Sequence, residues 1–391
     1  MKNNKNALFA GAYYTYFVSG MMVIMLGTVM PFLMRDYGID YKTGGLFVSV
    51  SAAGNLLASF VTGFLALRFR RKKTIVALSS LIFLSYLGVI ATDTVFILIP
   101  LFLLAGLGRG GVSNVNNAIV NDAATGKSAY LNLLHMFYAI GAFILPLMAS
   151  ALIGAGFGWK VVVCVGLVLS LTMVAVYAML PLDGEPADKK AGKADDVPGA
   201  AAPNRAPFYK NVSFYLAGGV LFFYLGTETS VNGWAVTYLI DSGRMADATA
   251  QRVFSLFWAV MMIGRLITAY LSARIKKATL VLIQASGAAV MFAVFVNSPN
   301  PTVTIAAIVL LGLFFSGIYP TTVSTAGKIL KGSDPAMGML TAAASAGGIA
   351  MPFAVGLLAQ RLNIMAGMGF VTISAALTAA CALALKFRSA E

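Results

Sequence analysis

The sequence predicts an all-α membrane protein whose twelve transmembrane helices form two pseudo-symmetric six-helix bundles. Three observations predict it. The 391 residues are 59% hydrophobic and only 11% charged, against about 25% charged in a soluble domain. Polar and glycine-rich breaks divide the apolar stretches into twelve segments of spanning length. One shift of 206 positions lays the punctuation of the first half onto the second.

A hydrocarbon core about 30 Å thick takes roughly 20 apolar residues per helix. Hydropathy places the spans at 8–34, 42–67, 73–92, 94–121, 128–154, 159–181, 211–239, 250–273, 278–296, 301–326, 336–360 and 365–386. The first apolar run, Ala7 to Met34, is long and lacks a short core followed by a cleavage site, so it reads as a span and not a signal peptide. Between the sixth and seventh spans lies Asp183 to Pro207, rich in Pro, Ala, Asp and Lys, which reads as a flexible linker. The expected domains are 1–182, a cytoplasmic linker at 183–210, and 211–391.

Lys and Arg set the orientation. With both termini cytoplasmic, twenty basic residues fall inside and six outside, which satisfies the positive-inside rule for a cell inner membrane. The remaining two, Arg109 and Arg265, lie within spans. The net charge of +14 does not signal nucleic acid, because no basic run is long enough to follow a phosphate backbone.

The repeat is specific in register. Gly20, Gly27, Thr62, Arg68, Gly106, Gly111, Gly141 and Pro146 fall on Gly226, Gly233, Thr268, Arg274, Gly312, Gly317, Gly347 and Pro352. A single offset serves span pairs 1/7, 2/8, 4/10 and 5/11. Six is even, so the copies share a topology and a two-fold axis along the membrane normal relates them. A midplane cavity between the halves, opened alternately to each side, follows from that arrangement.

After the second span the chain reads Gly63-Phe-Leu-Ala-Leu67-Arg68-Phe-Arg70-Arg71-Lys72. This is similar to a signature of the major facilitator superfamily, with Leu67 in place of its Asp and Arg70 in place of its second Gly. The resemblance implies gating or structural roles for Gly63, Arg68, Arg71 and Arg274; the basic cluster can also bind helix carbonyls or anionic lipid. Within that superfamily the chain resembles the fucose permease group of sugar–proton symporters. The residues that carry this are Asn132 to Gly141 with His135, Gly226-Thr-Glu228 with Gly233-Trp234 and Tyr238, and Trp258 with Gly264-Arg265. That group's carboxylates in spans 1 and 4 are absent, and span 4 carries Arg109 instead. The resemblance implies transport of a small hydrophilic solute.

Ionisable groups inside spans mark function by default. Glu228 lies about 16 Å from the outer end of span 7, and it can take and release a proton as water access alternates. Arg109 lies about 20 Å from either end of span 4 and needs an anion or a wet cavity. Ser113 and Asn116 continue its face, and Asn114, Asn117 and Asn121 form an adjacent polar strip that suits hydroxyls or amides. Arg265 and Trp258 share a face of span 8 with Met262 between them; Arg265 is equally a structural and a solute-binding candidate. Tyr16, His135 and Asn232 complete the candidate solute contacts, with packing as the competing role for His135. Tyr13, Tyr138 and Tyr319 are further candidates.

Enzymatic chemistry has no signature here. No phosphate-cradling loop, metal-ligand set or nucleophile with its base is present, and no cofactor is implied. Cys164 and Cys381 sit in apolar stretches and read as packing residues. The preferred reading is proton-coupled uptake of a sugar or sugar derivative by a monomer, with the solute, protons and membrane lipids as partners. Its rivals are a carrier of anionic solutes held by Arg109, an exporter of drugs or metabolites, and a non-transporting membrane receptor.

Overall fold

A computed structural model of the chain describes residues 2–124, 128–182, 208–329 and 334–388. The described residues contain α1 Lys2–Tyr37, α2 Tyr41–Arg68, α3 Arg71–Ala91, α4 Val95–Ala123, α5 Ser128–Gly154 and α6 Trp159–Met179. A 3-10 turn at Phe208–Lys210 leads into α7 Val212–Asp241. The second half continues with α8 Asp247–Ser272, α9 Lys277–Asn297, α10 Pro301–Phe315, α11 Ile318–Ile329, α12 Asp334–Arg361 and α13 Ile364–Arg388. Most of the expected linker, 183–207, lies outside the described residues.

These helices make the twelve spans, because α10 and α11 together form the tenth. Hydropathy reads 301–326 as a single span. The helix instead breaks at Ser316–Gly317, where Pro320 supplies no N–H for the carbonyl four residues earlier. Eleven segments are long and apolar enough to cross a membrane. The other, α7, is 30 residues long and carries Thr227, Glu228, Thr229, Ser230 and Asn232 in its interior, which lowers its mean hydropathy.

The two halves repeat one packing scheme. In the first, α1 packs on α4, α5 and α6, while α3 and α4 pair with each other and with α6 and α2 respectively. In the second, α7 packs on α11, α12 and α13, and α8, α9, α10 and α13 reproduce the remaining pairs. Lipid tails give apolar helices no hydrophobic reason to associate, so close backbone packing carries the contact. A Cβ at Gly106 would stand 2.0 Å from the Ser51 carbonyl oxygen; at Gly312 it would stand 2.3 Å from that of Phe257, the residue 206 positions after Ser51. The repeat read in the sequence is therefore a repeat of contacts.

The start of α1 and the end of α13 lie on one face of the bundle, called here the termini face. The halves meet mainly through α2 with α12, α5 with α8, and α1 with α7. The polar contacts between them lie toward the opposite face. Ser49 Oγ donates to the Ile349 carbonyl at 2.6 Å, and Ser255 Oγ donates to the Phe143 carbonyl at 2.6 Å. The two donors are 206 positions apart, and so are the two acceptors. Gln251 Nε2 donates to the Thr28 carbonyl at 2.7 Å, and Arg35 pairs with Asp247.

Candidate functional site

Between the halves lies a cavity of about 1130 Å³. Its wall includes Ala129, Ser272, Lys277 and Ser324 near the termini face, and Gly27, Val48, Asn232 and Gly233 at its deep end. Beyond that deep end the halves close on each other. A Cβ at Gly27 would stand 1.9 Å from the Asn232 carbonyl oxygen, and one at Gly233 would stand 2.7 Å from the Val48 side chain. The cavity is thus open toward the termini face and sealed toward the other.

Arg109 sits in the wall, midway along α4, with Nη1 donating to the Val23 carbonyl at 3.4 Å. Glycine on both sides makes that position possible. Gly108 packs against α3 at Leu78 and Ile82, and Gly110 packs against α2 at Asn55 and Ala58, so α4 is held by its neighbours while the long side chain turns inward. Glu228 on α7 and Arg265 on α8 also line the cavity. The Arg265 charge acts on the Glu228 carboxylate, with the Tyr224 side chain beside it. The Tyr224 hydroxyl donates to the Phe315 carbonyl at 3.0 Å, at the end of α10 where the tenth span breaks. Among the described residues the ion pairs within 4 Å are Arg35–Asp247 and Arg71–Asp122. Arg109, Glu228 and Arg265 are therefore not locked in direct salt bridges.

Aromatic groups complete the centre. The Tyr16 hydroxyl shares a hydrogen bond with Ser113 Oγ at 2.9 Å, and its ring meets His135 edge-on at 5.5 Å and Tyr138 at 5.0 Å. Tyr138 lies within the fields of Arg109, Glu228 and Arg265 together. Trp258 is 2% exposed and packs edge-on against Phe257. Its indole N–H and the Asn232 side-chain oxygen have no hydrogen-bond partner among the described residues. Arg109, Glu228, Asn232, Trp258, Tyr16, His135 and Arg265 thus all line one chamber.

Other expected residues fall elsewhere. Asn114 is exposed and does not line the cavity. Asn117 donates its amide to the Ser113 carbonyl at 2.8 Å, within its own helix, and is also outside the lining. Asn116 is buried and donates to Thr15 Oγ1 at 3.2 Å, joining α4 to α1. The polar strip on α4 is therefore narrower than its sequence suggests, because helix periodicity alone does not say which neighbour meets which side.

On the termini face, Arg71 pairs with Asp122 at 2.8 Å inside the first half, and the Arg274 guanidinium lies over the Tyr270 ring at 4.0 Å inside the second. Arg68 is exposed, and a Cβ at Gly63 would meet nothing within 4 Å. None of the four joins the halves in this conformation; the gate that is closed is on the opposite face. Sequence reasoning missed Asn55 and Asn132 as polar lining residues. The signal for Asn55 was a lone amide in a span of small residues, Ser49 to Gly54.

Comparison with known proteins follows the same lines. The family model described as Major Facilitator Superfamily matches residues 12–334. The glucose/mannose transporter GlcP of Bacillus subtilis is 23% identical over 367 residues, spanning 93% of this chain and 90% of the relative. A TsgA homolog of Serratia proteamaculans is 22% identical over 328 residues, spanning 83% and 80%. Among solved structures, a D-xylose-proton symporter superposes with a TM-score of 0.79 at 11% identity, covering 98% of this chain and 97% of that one. The nucleoside transporter NupG superposes with a TM-score of 0.73 at 15% identity, covering 98% of both.

Proposed function

The chain belongs to the Major Facilitator Superfamily, and from that premise we propose that it is a secondary active transporter taking up a small polar solute, a sugar or sugar derivative, together with protons. It is a transporter and not an enzyme, as its family and its relatives are. The sequence assigns twenty basic residues to the inner side against six to the outer, which supports cytoplasmic termini in the cell inner membrane. On that orientation the cavity described above faces inward.

One observation carries the proton coupling. Among the residues lining the cavity, Glu228 is the carboxylate, and it faces Arg265 without a direct salt bridge. An ionised carboxylate is costly inside a membrane unless a cation or water offsets it. Glu228 takes a proton when the chamber faces the outside and releases it when the chamber faces the inside, with Arg265 stabilising the ionised form in between. Tyr16, Tyr138, Asn55, Asn132 and Asn232 offer the mixed donors and acceptors that match solute hydroxyls. A relative named as a glucose/mannose transporter and a structural neighbour named as a D-xylose-proton symporter support a sugar-like solute.

Glu228→Gln tests the coupling. The variant is expected to lose proton-driven accumulation in proteoliposomes and to keep solute counterflow. Accumulation equal to that of the unmodified protein rejects the role of Glu228.

A further inference from the structure

The charged side chains at the centre of the cavity do not balance. Arg265 has Glu228 to answer it. Arg109 has no such partner. The groups its charge reaches are the neutral phenols of Tyr86 and Tyr138, and its hydrogen bond to the Val23 carbonyl is long, at 3.4 Å. Among the described residues no carboxylate pairs with it. It lies midway along α4, about 21 Å from either helix end, too deep to reach the interface by snorkelling. A guanidinium presents five donors and no acceptor, in a planar fork that matches a carboxylate. A half-buried cation this deep in the membrane is costly without an opposite charge, and a ligand's carboxylate relieves that cost.

We propose that the solute is a small monoanionic polyol, a sugar acid of the aldonate or uronate class, whose carboxylate docks on Arg109 while its hydroxyls meet Asn55, Asn132 and Ser113. This deepens the proton-coupled reading above and rests on it. Charge conservation points the same way. With Glu228 ionised, the empty centre formed by Arg109, Arg265 and Glu228 carries one net positive charge. A neutral sugar with a proton raises it to two, and the loaded centre must then move an extra charge through the membrane. A sugar acid with a proton leaves the charge at one, so the loaded and empty centres cross alike.

The test uses the full-length protein in proteoliposomes whose membrane potential is clamped with potassium and valinomycin. The solutes compared are D-gluconate, D-glucuronate, D-glucose, D-mannose and L-lactate, each with a lumenal pH dye. One of the two sugar acids is expected to enter at least about tenfold faster than either neutral sugar, and at a rate that a negative-inside potential leaves unchanged. Arg109→Gln should cut acid uptake about 100-fold, and Arg109→Lys, which keeps the charge without the fork, about tenfold. If those variants do not fold, the preference of the unmodified protein and its insensitivity to potential decide the matter. Faster uptake of a neutral sugar with lumenal acidification, accelerated by a negative-inside potential, overturns the sugar-acid proposal and leaves proton coupling standing. Solute uptake without any lumenal pH change overturns proton coupling and this proposal with it. L-Lactate entering as fast as the sugar acids, or no uptake of either acid, also overturns it.

Discussion

Arg35 on α1 and Asp247 on α8 form a two-bond ion pair across the halves, with Nη1 to Oδ2 at 2.9 Å and Nη2 to Oδ1 at 3.2 Å. The 206-residue repeat relates Arg35 to Asp241 and Tyr41 to Asp247. The symmetry mate of this ion pair is therefore the bond from the Tyr41 hydroxyl to Asp241 Oδ2, at 2.9 Å. Two equivalent contacts hold the closed face, one charged on both sides and one on only one.

The ion pair's side chains are 48% and 33% exposed, so its contribution is about 1 kcal/mol at most. Asp247→Asn should shift the population toward opening of that face by up to about fivefold. Adding Tyr41→Phe should extend the shift. Distances between spin labels placed on α1 and α8 at that face read it directly. An unshifted distribution in the double variant would mean that backbone packing alone closes the gate.

Gly20 and Gly347 are expected to tolerate no side chain. A Cβ would stand 2.0 Å from the Tyr138 carbonyl oxygen at Gly20 and 1.9 Å from that of Phe222 at Gly347. Backbone cannot yield as a flexible side chain would, so alanine at either site should cost about 1–3 kcal/mol by overpacking. Gly63→Ala is the control, since a Cβ there meets nothing within 4 Å. Thermal unfolding in detergent should lower the midpoint for the first two and leave the control unchanged.

The narrow cavity face of α4 has its own test. Asn132, on α5, is exposed within the cavity lining, whereas Asn114, on α4, is exposed but not part of that lining. Cysteine at 132 should react with a charged thiol reagent added from the termini face, and transported solute should slow that reaction. Cysteine at 114 should show no protection. Solute protection at 114 would return Asn114 to the binding face.

Much of this was legible in the sequence, for identifiable reasons. Glycines such as Gly106 and Gly312 recur at one offset because the close backbone approaches they permit recur too. Glu228, Arg109 and Arg265 stood out because charge inside a span is rare and faces inward. The break between α10 and α11 was hidden because hydropathy averaged over a span's length runs across it, while Pro320 acts through a missing N–H that hydropathy does not record. Asn114, Asn116 and Asn117 could not be sorted from one helix alone. Which of them meets the cavity depends on where α1 packs against α4, and Thr15 takes Asn116. The gate residues Arg35, Tyr41, Asp241 and Asp247 were obscured by their position at helix ends, where charge is ordinary.

Lumenal pH in proteoliposomes loaded with a pH dye tests the role of Glu228 most directly. When a transported solute is added outside, the unmodified protein should acidify the lumen as the solute enters, and Glu228→Gln should admit solute by exchange with no acidification. Solute entry through the unmodified protein with the lumenal pH unmoved would contradict the account.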